Sequence, residues 1–151
     1  LDLFVAVEKR DRAGEPVHFY AKTGYTRGPV ALGWLRVSQR ELDEARSTPW
    51  QPVLAHRRSL PVSAQEIVPV EIEILPSSTL FRAGETLVLI VQGRDLFEHP
   101  ALAHTRSVNA GRHRIHTGAT HDAHLLVPVV PGRTPEGERV AGPVAARTLE
   151  R

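Results

Sequence analysis

Val68-Pro69-Val70-Glu71-Ile72-Glu73-Ile74 puts an apolar side chain at every second position, with carboxylates between the later ones. This is the period-two pattern of a strand with one dry face and one wet face. Pro69 lies near the start, where a strand tolerates a residue without an N–H. Downstream, Pro76 to Glu85 holds a turn at Ala83-Gly84, and Leu87 to Val91 is apolar at every position. A run with no polar face reads as the central strand of a sandwich. Arg112 to Thr117 and His124 to Val130 read as two more strands, joined by a turn over Gly118 to Asp122. Upstream, Ser47 to Ser59 contains Pro49 and Pro52 and reads as a loop crossing between sheets, while Gln39 to Ala45 is the one short helix-compatible stretch. Ala31 to Ser38 is a strand with Leu32, Trp34, Arg36 and Ser38 on one face. Val17 to Ala21 is another, bounded by the turn-rich segments Glu8 to Glu15 and Thr23 to Pro29. Leu1, Leu3, Val5 and Val7 alternate with Asp2, Phe4, Ala6 and Glu8, which predicts a first strand with one face inward. Seven or so short strands with long crossing loops describe an all-β antiparallel β-sandwich of Greek-key or jelly-roll topology. The sandwich occupies residues 1–131. Residues 132–151, rich in Pro, Gly and charge, form an extended or mobile tail.

The chain has 151 residues, 41% of them hydrophobic and 24% charged, which suits one globular domain with a real core. No apolar run approaches the ~18 residues of a membrane span, and no charged start followed by an apolar run marks a signal peptide. No membrane partner is expected. The absence of cysteine removes disulfides, thiolate metal sites and cysteine nucleophiles, and leaves the compartment open, with the cytoplasm favoured. A net charge of +2 with interleaved acids and bases gives no footprint for nucleic acid. With no methionine and a start at Leu1, the chain reads as a piece of something longer.

No G-x-S-x-G elbow, G-x-x-x-x-G-K-[ST], G-x-G-x-x-G or H-E-x-x-H is present, so no catalytic residue, nucleotide cofactor or zinc-protease site is expected. The dense titratable group is His113, His116, His121, Asp122 and His124, with His99 and His104 upstream. Convergent imidazoles and a carboxylate suit a divalent ion. Odd spacing, however, sends His113 and His116 to opposite faces of a strand, and His121, Asp122 and His124 straddle a turn. They read better as partners of loop backbone groups at one end of the sandwich, and no metal is assigned. Trp34 reads as a core or interface anchor, with Arg36 pairing to Glu71 or Glu73. Trp50, between two prolines on an irregular segment, suits a contact with another domain or a loop anchor. Glu71 and Glu73 are the wet side of a strand rather than an acid–base couple.

Several phrases occur in an order that resembles a known family. They are Asp2-Leu3-Phe4-Val5, Gly33-Trp34-Leu35-Arg36-Val37-Ser38-Gln39-Arg40, Val70-Glu71-Ile72-Glu73-Ile74-Leu75-Pro76, Phe81-Arg82-Ala83-Gly84, Asn109 through His116, and Asp122 through Pro131. Together they resemble the C-terminal domain of X-Pro dipeptidyl-peptidases and cocaine-esterase-like (CocE/NonD) acyl hydrolases. The resemblance implies a jelly-roll sandwich, similar to galactose-binding-like domains, packed on an upstream α/β-hydrolase domain that carries the catalytic triad. It also implies strands ahead of Asp2-Leu3-Phe4-Val5, so the sandwich is expected to be partial. Such an edge recruits a neighbour, a second copy of the chain or a fragment. The resulting expectation is a non-catalytic accessory domain of a serine acyl or peptide hydrolase that shapes substrate access. Trp34, Trp50, His121, Asp122 and His124 are its candidate interface or pocket-wall residues. The competing reading is a stand-alone carbohydrate- or ligand-binding sandwich, against which stands the 5% aromatic content. An arginine-rich nucleic-acid binder is the weakest alternative.

Overall fold

The computed structural model describes residues 1–20, 26–96, 106–118 and 120–130. Its centre is β1 (Asp2–Arg10). A short β2 (Pro16–Val17) folds back on the end of β1 at Lys9 and Arg10, and β3 (Ala31–Arg36) pairs antiparallel along Asp2 to Val7. β4 (Thr86–Gln92) pairs antiparallel with Phe4 to Arg10. Because β3 and β4 both bond to residues 4–7, they occupy opposite edges of β1, with β2 continuing the β3 edge. The fold is all-β and antiparallel, as the alternation predicts, and no α-helix occurs among the described residues.

Two strand assignments change. The strand buried on both faces is β1, not Leu87 to Val91: Asp2 through Val7 are all buried, while β4 is half-buried and its Val91 is exposed. Position in the sheet decides this, since β1 has neighbours on both edges and β4 is paired only to β1 among the described strands. The first strand therefore does not present one wet face. Its single early charge, Asp2, is tolerated because Arg36 lies directly across the ladder. The second change is that 68–74, 112–117 and 124–130 carry strand-like sequence but build no ladder among the described residues. Burial along 68–74 does alternate as predicted. The segment meets the sheet only at its end, where Ile74 bridges Gly33 and the Leu75 N–H donates to the Leu32 carbonyl at 2.8 Å.

That meeting requires a glycine. A Cβ on Gly33 would lie 2.3 Å from the Glu73 carbonyl oxygen and 3.2 Å from the Ile74 Cα, both backbone atoms that cannot swing aside. Elsewhere the turns follow the sequence. Gly84 (φ +81°) closes the turn into β4 and Gly118 (φ +89°) the turn bridged by His121, both in the left-handed region glycine favours. The helix-compatible stretch at 39–45 is not a helix. A 3-10 turn at Val37–Gln39 ends β3, and the chain then enters a small hairpin bridged at Leu42–Leu54 and Thr48–Gln51. The supposed crossing loop is thus locally closed, with Pro49 and Trp50 at its tip. The tail at 132–151 lies outside the described residues.

Candidate domain interface

One corner of the sheet is built around Asp2. Its carboxylate accepts from Arg36 Nε at 2.8 Å, from an Arg36 terminal nitrogen at 3.1 Å, and from the Val108 N–H at 3.2 Å. The Arg36 hydrogen bonds hold the carboxyl below the usual aspartate range against the opposing effect of burial. The Asp2 main chain is matched by a side chain. Asn109 Oδ1 accepts the Asp2 N–H at 2.6 Å, and its Nδ2 donates to the Asp2 carbonyl at 2.8 Å and to the Gly93 carbonyl at 2.6 Å. The β1–β4 register stops at Phe4 opposite Gln92, so the Asn109 amide stands in for the next peptide of β4 and pins the returning segment to the sheet. The predicted partnership of Arg36 with Glu71 or Glu73 is replaced by Asp2, because register places residue 2 directly opposite residue 36.

The other end of β1 buries Lys9. Its ammonium donates to the Leu80 carbonyl at 2.8 Å, pairs with Glu85 at 2.7 Å and lies 5.6 Å from the Phe81 ring centre. The Arg82 N–H and then Lys9 lower the Glu85 pKa. Both corners hold loops onto the sheet. Beside Asn109, a groove of about 430 Å³ is lined by Leu1, Leu3, Val91, Arg94, His113 and Ile115 among others, and the described residues of its lining include no carboxylate and no hydroxyl. With the Asn109 amide already committed, the described lining residues form no acid–base or nucleophilic set.

The candidate interface residues are spread over three elements. Trp34 is 49% exposed on β3, on the same face as Arg36, and Trp50 is 72% exposed at the hairpin tip. His121, Asp122 and His124 lie on the turn after Gly118, with His124 Nδ1 3.8 Å from an Asp122 oxygen and both side chains in solvent. The His121 ring meets that of His116 edge-on at 5.1 Å. No group of three or more metal-ligating side chains forms among the described residues. His99 and His104 lie outside those residues. Beyond the turn, Leu126, Val127, Val129 and Val130 are all exposed, Val129 by 80%. This is an apolar surface without chemistry.

Residues 1–126 match the family model described as the X-Pro dipeptidyl-peptidase C-terminal non-catalytic domain. The chain belongs to that family. Two crystal structures of a CocE/NonD family hydrolase from Staphylococcus aureus resemble this chain at 45% identity. One has a TM-score of 0.69 over 72% of this chain, the other 0.70 over 74%. The domain spans 21% of the length of each of those chains. No curated protein is similar at a significant level. Sequence reasoning missed Asn109, Lys9 and Glu85 as anchors. The pairing the sequence could have supplied is Asp2 with Arg36, visible once the two strands are set antiparallel.

Proposed function

We propose that the domain is the accessory C-terminal sandwich of a serine acyl or peptide hydrolase, a jelly roll that packs on an α/β-hydrolase domain and shapes access to its substrate site. The family match over residues 1–126 carries this reading. It is supported by the exposure of the large apolar side chains Trp50, Leu126, Val127, Val129 and Val130, which suits an inter-domain contact. Trp34 and the His121, Asp122 and His124 turn are the proposed flanking contacts. Acyl chemistry resides in the hydrolase portion, and this domain contributes shape and a wall. The test is to mix the isolated chain with the hydrolase portion of the same polypeptide and follow size-exclusion elution and tryptophan emission. The expected result is 1:1 co-elution with a blue shift that Trp50→Ser diminishes. Separate elution at micromolar concentrations overturns the proposal.

A further inference from the structure

The loop that leaves the 42–54 hairpin is fastened at both ends and open between them. At one end the Ala55 N–H donates to the Glu41 carbonyl at 2.8 Å. At the other the Leu60 N–H donates to the Ser38 carbonyl at 2.7 Å, and the Arg40 guanidinium donates to the Leu60 carbonyl. His56, Arg57, Arg58 and Ser59 lie between these ties and are exposed, and their N–H groups donate to no acceptor among the described residues. His56 holds φ +52°, in the left-handed region that a residue with a side chain enters at a cost, and such costs gather at ligand clamps. Glu41 orders the two arginines. Its Oε1 lies 3.4 Å from Arg57 Nη2 and 3.2 Å from Arg58 Nε, while its Oε2 is turned inward out of solvent. The carboxylate is largely buried and the guanidiniums are about two-thirds exposed, so Glu41 is a tether beneath them. Each contact engages one nitrogen of a fork that carries five N–H donors and leaves the others to solvent. Among the described residues no other carboxylate pairs with either guanidinium. Two cations over one anion leave a single positive charge, on residues that also offer four backbone N–H groups and the Ser59 hydroxyl.

We propose that residues 56–59 form a binding site for the carboxylate of a small organic acid, held by the spare guanidinium donors of Arg57 and Arg58 and by backbone N–H groups of the loop. Charge selects this class. A carboxylate neutralises the one excess charge, whereas a phosphate monoester brings nearly two negative charges to a site with Glu41 beneath it. Shape agrees, because the planar guanidinium fork matches a planar carboxylate through paired N–H···O bonds. The site stands at the base of the hairpin, and the Leu42–Leu54 and Thr48–Gln51 bridges separate it from Trp50 at the tip. It is therefore distinct from the proposed domain contact.

Magnetic-resonance titration of the isotope-labelled chain with sodium benzoate and, separately, with inorganic phosphate at constant ionic strength tests this. Benzoate is expected to give saturable shifts of the amide N–H resonances of 56–59 and of the Nε–H resonances of Arg57 and Arg58, with half-saturation in the millimolar range. Arg57→Gln/Arg58→Gln is expected to weaken binding by about tenfold or more. Arg57→Lys/Arg58→Lys keeps the charge and loses the fork, and is expected to weaken it by roughly three- to tenfold. Absent or non-saturating shifts overturn the proposal. Undiminished affinity in the lysine pair overturns it in favour of unspecific charge attraction, and tighter binding of phosphate than of benzoate overturns the choice of a carboxylate. Calorimetry on the full-length hydrolase is expected to count one more benzoate site in the parent than in Arg57→Gln/Arg58→Gln. Equal counts overturn the proposal, because the loop is then covered in the assembled protein.

Discussion

Replacing Asn109 removes three hydrogen bonds from one side chain, and the burial of each partner sets the cost. Asn109→Leu keeps the branched shape but leaves the N–H and C=O of Asp2, a buried residue, without partners, together with the more exposed Gly93 carbonyl. An unsatisfied buried polar group costs about 1–3 kcal/mol, and the adjoining groove lets some water approach, so the two Asp2 groups together cost about 2–4 kcal/mol. Asn109→Asp does not rescue the loss. It still accepts from the Asp2 N–H but cannot donate to either carbonyl, and it sets a charge beside the Asp2 carboxylate. Urea unfolding followed by tryptophan emission is the assay. With a slope of about 2 kcal/mol per molar for a chain of this size, the midpoint should fall by about 1–2 M in both variants. A midpoint for Asn109→Leu within about 0.2 M of the parent would refute the claim that this amide substitutes for a peptide of β4.

Four further outcomes follow from the same geometry. Gly33→Ala drives a Cβ against the Glu73 carbonyl and should cost about 1–3 kcal/mol by prising 73–75 from β3, measured by thermal or urea unfolding. Asp2 and Glu85 have lowered folded pKa values, so their contribution is present above the unfolded carboxylate range near ~4 and is lost as pH falls through the folded values; the melting temperature should drop on acidification below about pH 4, less steeply in Asp2→Asn. Lys9→Met keeps an apolar stem beside Phe81 and should retain more thermal stability than Lys9→Ala, both falling below the parent. Zinc at tenfold excess should leave the melting temperature unchanged, because His124 and Asp122 form a solvent-exposed pair at 3.8 Å rather than a closed ligand set.

Much of this fold is legible in the period of its sequence. The apolar alternation of 1–8 and 31–36 and the apolar run at 87–91 locate three of the four strands, Gly84 marks the turn into the last of them, and Gly118 marks the separate turn bridged by His121. Periodicity records which side chains face a core, not which strands lie side by side. That is why β1 rather than β4 is the central strand, and why 68–74 shows its alternating burial yet carries no ladder. The 39–54 hairpin was hidden because two prolines break the strand signal while Asp43 and Val53 still close the loop through their backbones. The anchors are harder still. Asn109 acts by imitating a backbone peptide 107 residues away from its partner, which no local pattern encodes. Trp50, His121, Asp122 and His124, singled out in the sequence as large or polar groups outside the core pattern, are exposed side chains.

Turnover by the isolated chain tests the non-catalytic accessory role most directly. Chromogenic acyl esters and an X-Pro-p-nitroanilide, incubated with purified chain at increasing concentration, should hydrolyse at the rate of buffer alone. Hydrolysis that rises in proportion to the chain and is abolished by a serine-reactive phosphonate would contradict it.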